Sequence, residues 1–181
     1  MSEKKEVILS GTGGQGLILA GQILAEAAVL DGKNTVQTQS YGPEARGGAS
    51  RSEVIISDGE IDYPKVTRPD VLLAMSQEAL NKYSPLVGRG GTIIVDTTYI
   101  EELPSTLARV VAFPCSRMAK ENLGREVVAN IVALGALAAI TGVVSRESLE
   151  EALLHRIPKG TEDLNKRALE LGWESASQIV A

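Results

Sequence analysis

The sequence predicts an α/β fold, a Rossmann-like, parallel-dominated sheet with helices on both faces and a helical C-terminal portion. Two observations carry the prediction. Short apolar runs alternate with longer helical stretches, the alternation that builds parallel sheets. Several of those runs are apolar almost throughout, as strands covered on both faces must be. Four Tyr, one Trp and one Phe leave the core to Val, Ile, Leu and Ala.

The first strand is predicted at Glu6–Ser10 (EVILS), stopped by the glycines that begin at Gly11. A helix then covers Leu17–Leu30, with its start placed near Gly14 and Gly32 as its stop. The β-branched, half-polar run Asn34–Gln39 is the second strand, followed by SYGPEARGGAS, a loop dense in Gly and Pro. Ser52–Ser57 is the third strand, with a turn at Asp58-Gly59. Asp70–Met75 is a fourth, buried strand, and Gln77–Tyr83 a short helix. Thr92–Asp96 and Arg109–Phe113 complete the strands. From Met118 the chain reads as helical, with breaks near Gly124, Gly142, Pro158-Lys159-Gly160 and Gly172. In the stretch TEDLNKRALELGW, Leu164, Ala168 and Leu171 fall on one helix face, and Trp173 is a docking anchor within the domain or between subunits.

With 181 residues, the expected organisation is a single domain spanning 1–181. Lys and Arg number 18 against 23 Asp and Glu, a formal charge of −5, and no segment is basic enough to neutralise a run of phosphates. No nucleic-acid partner is expected. Cys115 is the only cysteine and His155 the only histidine. These counts exclude an internal disulfide, a Cys-ligated iron–sulfur cluster and a His/Cys zinc site within this chain. The start, MSEKKEVILS, is no signal peptide, so the expected compartment is the cytoplasm. Val127–Val144 is long and apolar, but its alanines, its glycines and its balanced flanking charges describe a buried helix rather than a membrane span. Its small residues (Ala129, Ala133, Gly135, Ala136 and Ala139) admit a neighbouring backbone, from this chain or from a partner.

Two loops are candidates for chemistry. Gly11, Gly13 and Gly16 in Gly11-Thr12-Gly13-Gly14-Gln15-Gly16 have dinucleotide-fingerprint spacing between a strand and a helix. Free N–H groups at the helix start would face an anion or a cofactor phosphate there. The acidic ribose partner expected at the end of the second strand is missing from Thr35–Ser40. A dinucleotide site, an anion site and a purely structural turn all remain open. The second loop contains Tyr41, Gly42, Pro43, Glu44, Arg46, Gly47 and Gly48, with Arg51 beyond it. Arg46 and Arg51 carry planar donors suited to carboxylate or phosphate, and Glu44 is placed to pair with either. At the carboxyl end of the second strand such a loop is an ordinary surface turn or a recognition loop for a partner or coenzyme A.

The segments GTGGQGLILAGQILAEAA, SYGPEARGGASRSEVIIS, YPKVTRPDVLLAMSQEAL and NIVALGALAAITG follow one another in an order and spacing that resembles the gamma subunit, or gamma domain, of 2-oxoacid:ferredoxin oxidoreductases. The resemblance runs from about Val7 to about Gly172, and SYGPEARGG is its most specific part. It implies an enzyme subunit within a complex that oxidatively decarboxylates a 2-oxoacid, usually to an acyl-CoA, with electrons passed to ferredoxin. Thiamine diphosphate, Mg, iron–sulfur clusters and coenzyme A would be carried mostly by partner subunits, with none bound by this chain alone. The implied partners are alpha, beta and ferredoxin-like delta subunits and an external ferredoxin; whether the isolated chain is a monomer or a homodimer is left open by the sequence.

Two other classes stand beside that reading, a free-standing Rossmann oxidoreductase using NAD(P) and a generic nucleotide- or acyl-CoA-binding module. The former needs an acid–base group. His155 falls at a late helix end, and Tyr41 lacks an accompanying Tyr-x-x-x-Lys pair. Cys115 reads as a small buried residue, and Asp96 as a cap for the turn after its strand or a ligand contact. No residue is assigned a catalytic or metal-binding role.

Overall fold

In the computed structural model the described residues are 3–40 and 49–180. The strands are β1 (Lys4–Thr12), β2 (Asn34–Ser40), β3 (Ala49–Ser57), β4 (Val71–Ala74), β5 (Thr92–Val95) and β6 (Arg109–Ala112). The helices are α1 (Leu17–Leu30), α2 (Gln77–Tyr83), α3 (Cys115–Leu123), α4 (Ala129–Thr141), α5 (Arg146–Arg156) and α6 (Glu162–Val180).

All six strands form one sheet, in the order β2-β3-β1-β4-β5-β6. β4, β5 and β6 add to β1 in parallel, as the apolar runs predict. β3 is the exception, antiparallel to both β1 and β2. The connection from β2 to β3 is residues 41–48, shorter than the dozen or so residues a parallel crossover requires. The expectation of strands separated by helices therefore fails at this hairpin-like pair, and at β3–β4 and β5–β6, which no helix joins.

Side-chain alternation divides the core. Val7, Leu9, Val54, Ile56, Leu73 and Ile94 face a thick layer containing α1 and α4. α6 lies against α4, and α5 against α1. Ile8, Leu72, Ala74, Ile93 and Val95 face α2 on the opposite side. There the buried carboxylates of Glu6 and Glu53 hold the irregular segment 58–70. Glu6 accepts the Arg68 N–H at 2.9 Å, and Glu53 the Val66 N–H at 3.1 Å.

Several boundaries differ from expectation. α1 starts at Leu17 rather than near Gly14, because the chain first turns through a left-handed Gly16 (φ 74°). The third strand begins at Ala49, three residues early, since its pairing with β1 continues to Thr12. Gly172 does not break the last helix. It lies inside α6, where a Cβ atom would sit 1.9 Å from the Val132 carbonyl oxygen of α4. The neighbour admitted by the small residues of α4 is thus this chain's own α6, with Gly135 facing Leu169 from the other side. The buried face of α6 runs through Asn165, Ala168, Leu169, Gly172 and Ala176, with Leu164 and Leu171 half-buried beside it. Trp173 packs at the edge of the core with the Arg146 guanidinium 5.7 Å from its ring centre. No helix among the described residues is long and apolar enough to cross a membrane.

The start of α5 is tied to the end of α1 by Asp31. Its carboxylate accepts the Ser145 N–H (2.7 Å), the Ser145 hydroxyl (2.6 Å) and the Ser148 hydroxyl (2.7 Å). Burial acts to raise its pKa, but these hydrogen bonds and the nearby Lys33 outweigh burial and hold it below the ordinary 3.8. A carboxyl lowered on folding contributes stability above its unfolded pKa and loses that contribution as pH falls through the folded value. Asp31→Asn should lower stability at pH 7 by about 1–2 kcal/mol, the size of a lost helix cap. It should also flatten the loss of stability below about pH 4. Urea melts of both proteins from pH 7 to pH 2 would show it, and parallel acid limbs would refute it.

Candidate functional site at the carboxyl edge of the sheet

The chain leaves β1 toward β2 on one side, while β4 adds on the other. The carboxyl ends of β1 and β4 therefore flank the switch point of the sheet, where open α/β folds place their ligands. A cleft of about 450 Å³ lies there, walled by Thr12, Gly14 and Gln15 from the first loop and Met75, Ser76 and Gln77 from the end of β4. Tyr99, Glu126 and Val127 close its far side.

The Gly-rich turn is tied by one side chain. Gln15 accepts the Thr12 N–H at 2.7 Å and donates to the Met75 carbonyl at 3.0 Å, spanning from β1 to β4. Gly11 leaves the space that this amide occupies, since a Cβ there would lie 2.2 Å from its oxygen. Asn130 of α4 donates to the Gly16 carbonyl at 3.0 Å and fastens the start of α1 to the thick layer. Gly11 and Gly16 are therefore explained by packing, whereas Gly13 and Gly14 have open space around them.

Sequence reasoning placed the Gly11–Gly16 turn at this edge. It missed the opposite wall, Met75, Ser76, Gln77, Tyr99, Glu126 and Val127, which only the parallel pairing of β1 with β4 brings near. Asn130 left a signal, as one of two clearly polar residues in an apolar run.

The wall chemistry is not that of a dinucleotide site. Among the described residues no Lys or Arg lines the cleft, and the one charged group, Glu126, takes a hydrogen bond from the Tyr99 hydroxyl. The donors that these residues offer an anion are backbone N–H groups and the neutral side chains of Thr12, Ser76 and Gln77. The missing ribose acid has a second, topological obstacle. β3 stands between β1 and β2, which puts the end of β2 roughly 10 Å from β1 where an adjacent strand would be roughly 5 Å away.

Tyr41, Gly42, Pro43, Glu44, Arg46, Gly47 and Gly48 lie outside the described residues. Their two anchors do not. Ser40 pairs with Arg51, and Arg51 with Ser10, while Ala49 pairs with Thr12. Both ends of the second loop thus stand level with the Gly-rich turn on the same edge. Arg51 itself turns inward, with Glu53 at 3.2 Å and the Tyr83 ring centre at 5.4 Å.

The residues weighed for other chemistry have structural roles. Asp96 is fully buried and accepts the Ser116 hydroxyl (2.6 Å), the Ser116 N–H (3.3 Å) and the Thr98 N–H (3.1 Å), so it caps the turn and the start of α3. Burial, with Asp96 adding, pushes the Cys115 thiol well above its ordinary pKa, the reverse of an activated nucleophile. His155 sits on α5 with Nδ1 3.4 Å from Glu26, which also pairs with Arg156. One buried cysteine and this histidine on a different element do not make a cluster or zinc site.

A family model described as pyruvate ferredoxin/flavodoxin oxidoreductase matches residues 6–175. The 2-oxoglutarate synthase subunit KorC of Methanocaldococcus jannaschii is 50% identical over 179 residues, covering 97% of this chain and 96% of that protein. The ketoisovalerate oxidoreductase subunit VorA of Methanothermobacter thermautotrophicus is 37% identical over 179 residues, covering 96% of this chain and 37% of its own greater length. The crystal structure of the keto/oxoacid ferredoxin oxidoreductase gamma subunit from Geobacter sulfurreducens superposes with a TM-score of 0.87 at 52% identity, covering 98% of this chain and 99% of that one. The chain belongs to the pyruvate ferredoxin/flavodoxin oxidoreductase family, in its gamma-subunit form.

Proposed function

We propose that this chain is the gamma subunit of a cytoplasmic 2-oxoglutarate:ferredoxin oxidoreductase, a single domain that assembles with alpha, beta and ferredoxin-like delta subunits. The observation that carries this reading is the carboxyl edge itself. It joins a hydrogen-bonded Gly-rich turn to both anchors of the Tyr41–Gly48 loop, beside a cleft to which the described residues bring no cation. Tyr99 and Val127 stand 50% and 73% exposed on the rim, apolar surface of the kind that partner proteins cover. The iron–sulfur clusters belong on the partners, because one buried thiol cannot supply their thiolate ligands. Thiamine diphosphate with its Mg is placed there too, since the described residues bring together no group of three His, Cys, Asp or Glu side chains that could hold a metal ion. Full-length similarity at 50% to a 2-oxoglutarate synthase subunit, against 37% for a ketoisovalerate subunit, favours 2-oxoglutarate as the substrate.

The role proposed for the second loop is contact between Arg46 and a partner carboxylate or the phosphates of coenzyme A. Pro43 and Gly47-Gly48 allow a stiff, closely approaching backbone there. Arg46→Ala should leave the melting temperature of the isolated chain nearly unchanged. In the reconstituted complex it should weaken assembly or raise the Michaelis constant for coenzyme A by roughly ten- to a hundredfold, the worth of a charge-assisted contact. Assembly and turnover like wild type would overturn the loop's role. Comparing 2-oxoglutarate, pyruvate and 2-oxoisovalerate in the same complex tests the substrate, and a preference for either of the others would replace the first while leaving the subunit reading intact.

A further inference from the structure

The two edges of the sheet are built differently. β6 has four residues and opens with Arg109, the short, charged form that blunts an edge against unwanted pairing. β2 has seven residues, Asn34–Ser40, and carries no charge, no proline and no bulge. In a chain in which 23% of residues are charged, this is an unguarded edge. It is also bordered by a groove of mixed character. The groove, of about 330 Å³, runs between β2 and α1, lined by Thr35 and Gln37 on one side, Ala25 and Val29 on the other, and the charged Glu26 and Arg156. Val29 is 57% exposed at the end of α1, beside a half-exposed Leu30.

We propose that the outer edge of β2 pairs with β2 of a second copy of this chain, antiparallel and centred on Gln37, continuing the sheet from one copy to the other. Self-pairing suits this strand. About a two-fold axis at Gln37, Val36 meets Thr38 and Thr35 meets Gln39, so no like charges face each other and the β-branched Val36 falls opposite Thr38. The groove is self-complementary as well. Glu26 and Arg156 form an ion pair at its wall, so each copy offers both signs to its mate. A charged partner strand would gain no electrostatic complement from β2, whereas a second neutral β2 loses none. The inference concerns a surface separate from the carboxyl-edge cleft.

The test uses the full chain and charge-paired variants at the centre of the strand. Sedimentation equilibrium should give twice the 19.1 kDa chain mass for the native protein. Gln37→Lys alone and Gln37→Glu alone should each give the single mass at the same concentration, with the circular dichroism of the folded chain unchanged. An equimolar mixture of the two should return to the double mass, because opposite charges then face each other across the axis. A monomeric native chain overturns the proposal. So does a dimer that survives both single variants, or a mixture that stays monomeric. If the native chain is monomeric and Gln37→Lys instead prevents incorporation into the alpha, beta and delta complex, the edge belongs to a partner subunit and the self-pairing is wrong.

Discussion

Gly172→Ala is expected to lower the stability of this chain by about 3 kcal/mol, at the upper end of what overpacking costs. The added methyl would lie 1.9 Å from the Val132 carbonyl oxygen and 3.1 Å from the Ala136 nitrogen. Both are backbone atoms of α4, so no side chain can rotate away. The α4–α6 pair must separate, and it covers the thick face of the sheet. For a chain of this size, such a loss corresponds to roughly 6–12 °C in melting temperature. Gly135→Ala should act in the same direction, since its methyl would meet the Leu169 carbonyl oxygen at 2.5 Å. The double variant should cost less than the sum, because one separation of the helices relieves both contacts. Calorimetry of the three variants tests this. An unchanged melting temperature for Gly172→Ala would mean that the helices do not approach as described.

Asp96→Leu should be at least as damaging, at about 3 kcal/mol or more. The carboxylate is fully buried and receives a hydroxyl and two backbone N–H groups. Leucine keeps the branched shape but is larger, and it leaves these donors without an acceptor, at about 1–3 kcal/mol for each group left unsatisfied. Asp96→Asn should lie between the two proteins, since one amide oxygen can still accept. Cys115 supplies the readout. Its thiol is inaccessible and its pKa is raised by burial, so a thiol reagent reports only on opening of this region. Labelling should be slow in the native protein and at least tenfold faster in Asp96→Leu. Equal rates would show that Asp96 is not what holds the start of α3.

Much of the carboxyl edge was legible because glycine and proline act locally. The Gly11–Gly16 turn follows from an apolar run ending in glycines before a helix, a pattern complete within a dozen residues. The fold class was legible for a similar reason, since β4 and β5 are apolar throughout and must be covered on both faces. β3 was legible as a strand but not in its direction. Val54, Ile55 and Ile56 would be equally buried in either orientation, and the short connection 41–48 decides it. Gly172 shows the opposite error. Glycine has weak helix propensity, so a break was expected, but close contact with α4 favours a missing side chain more strongly than propensity disfavours it.

By itself, the sequence determined where the apolar strands lie, that one cysteine and one histidine cannot build a Cys-ligated cluster or a His/Cys zinc site, and which two loops carry the chain's distinctive residues. Each is a matter of composition or of contacts along a short stretch. The tertiary structure alone decided that β3 separates β1 from β2, that Gln15 reaches across to Met75, and that Asn130 holds the carbonyl of Gly16 from more than a hundred residues away. Those pairings depend on strand order and helix packing, which many residues set together and which no local spacing encodes.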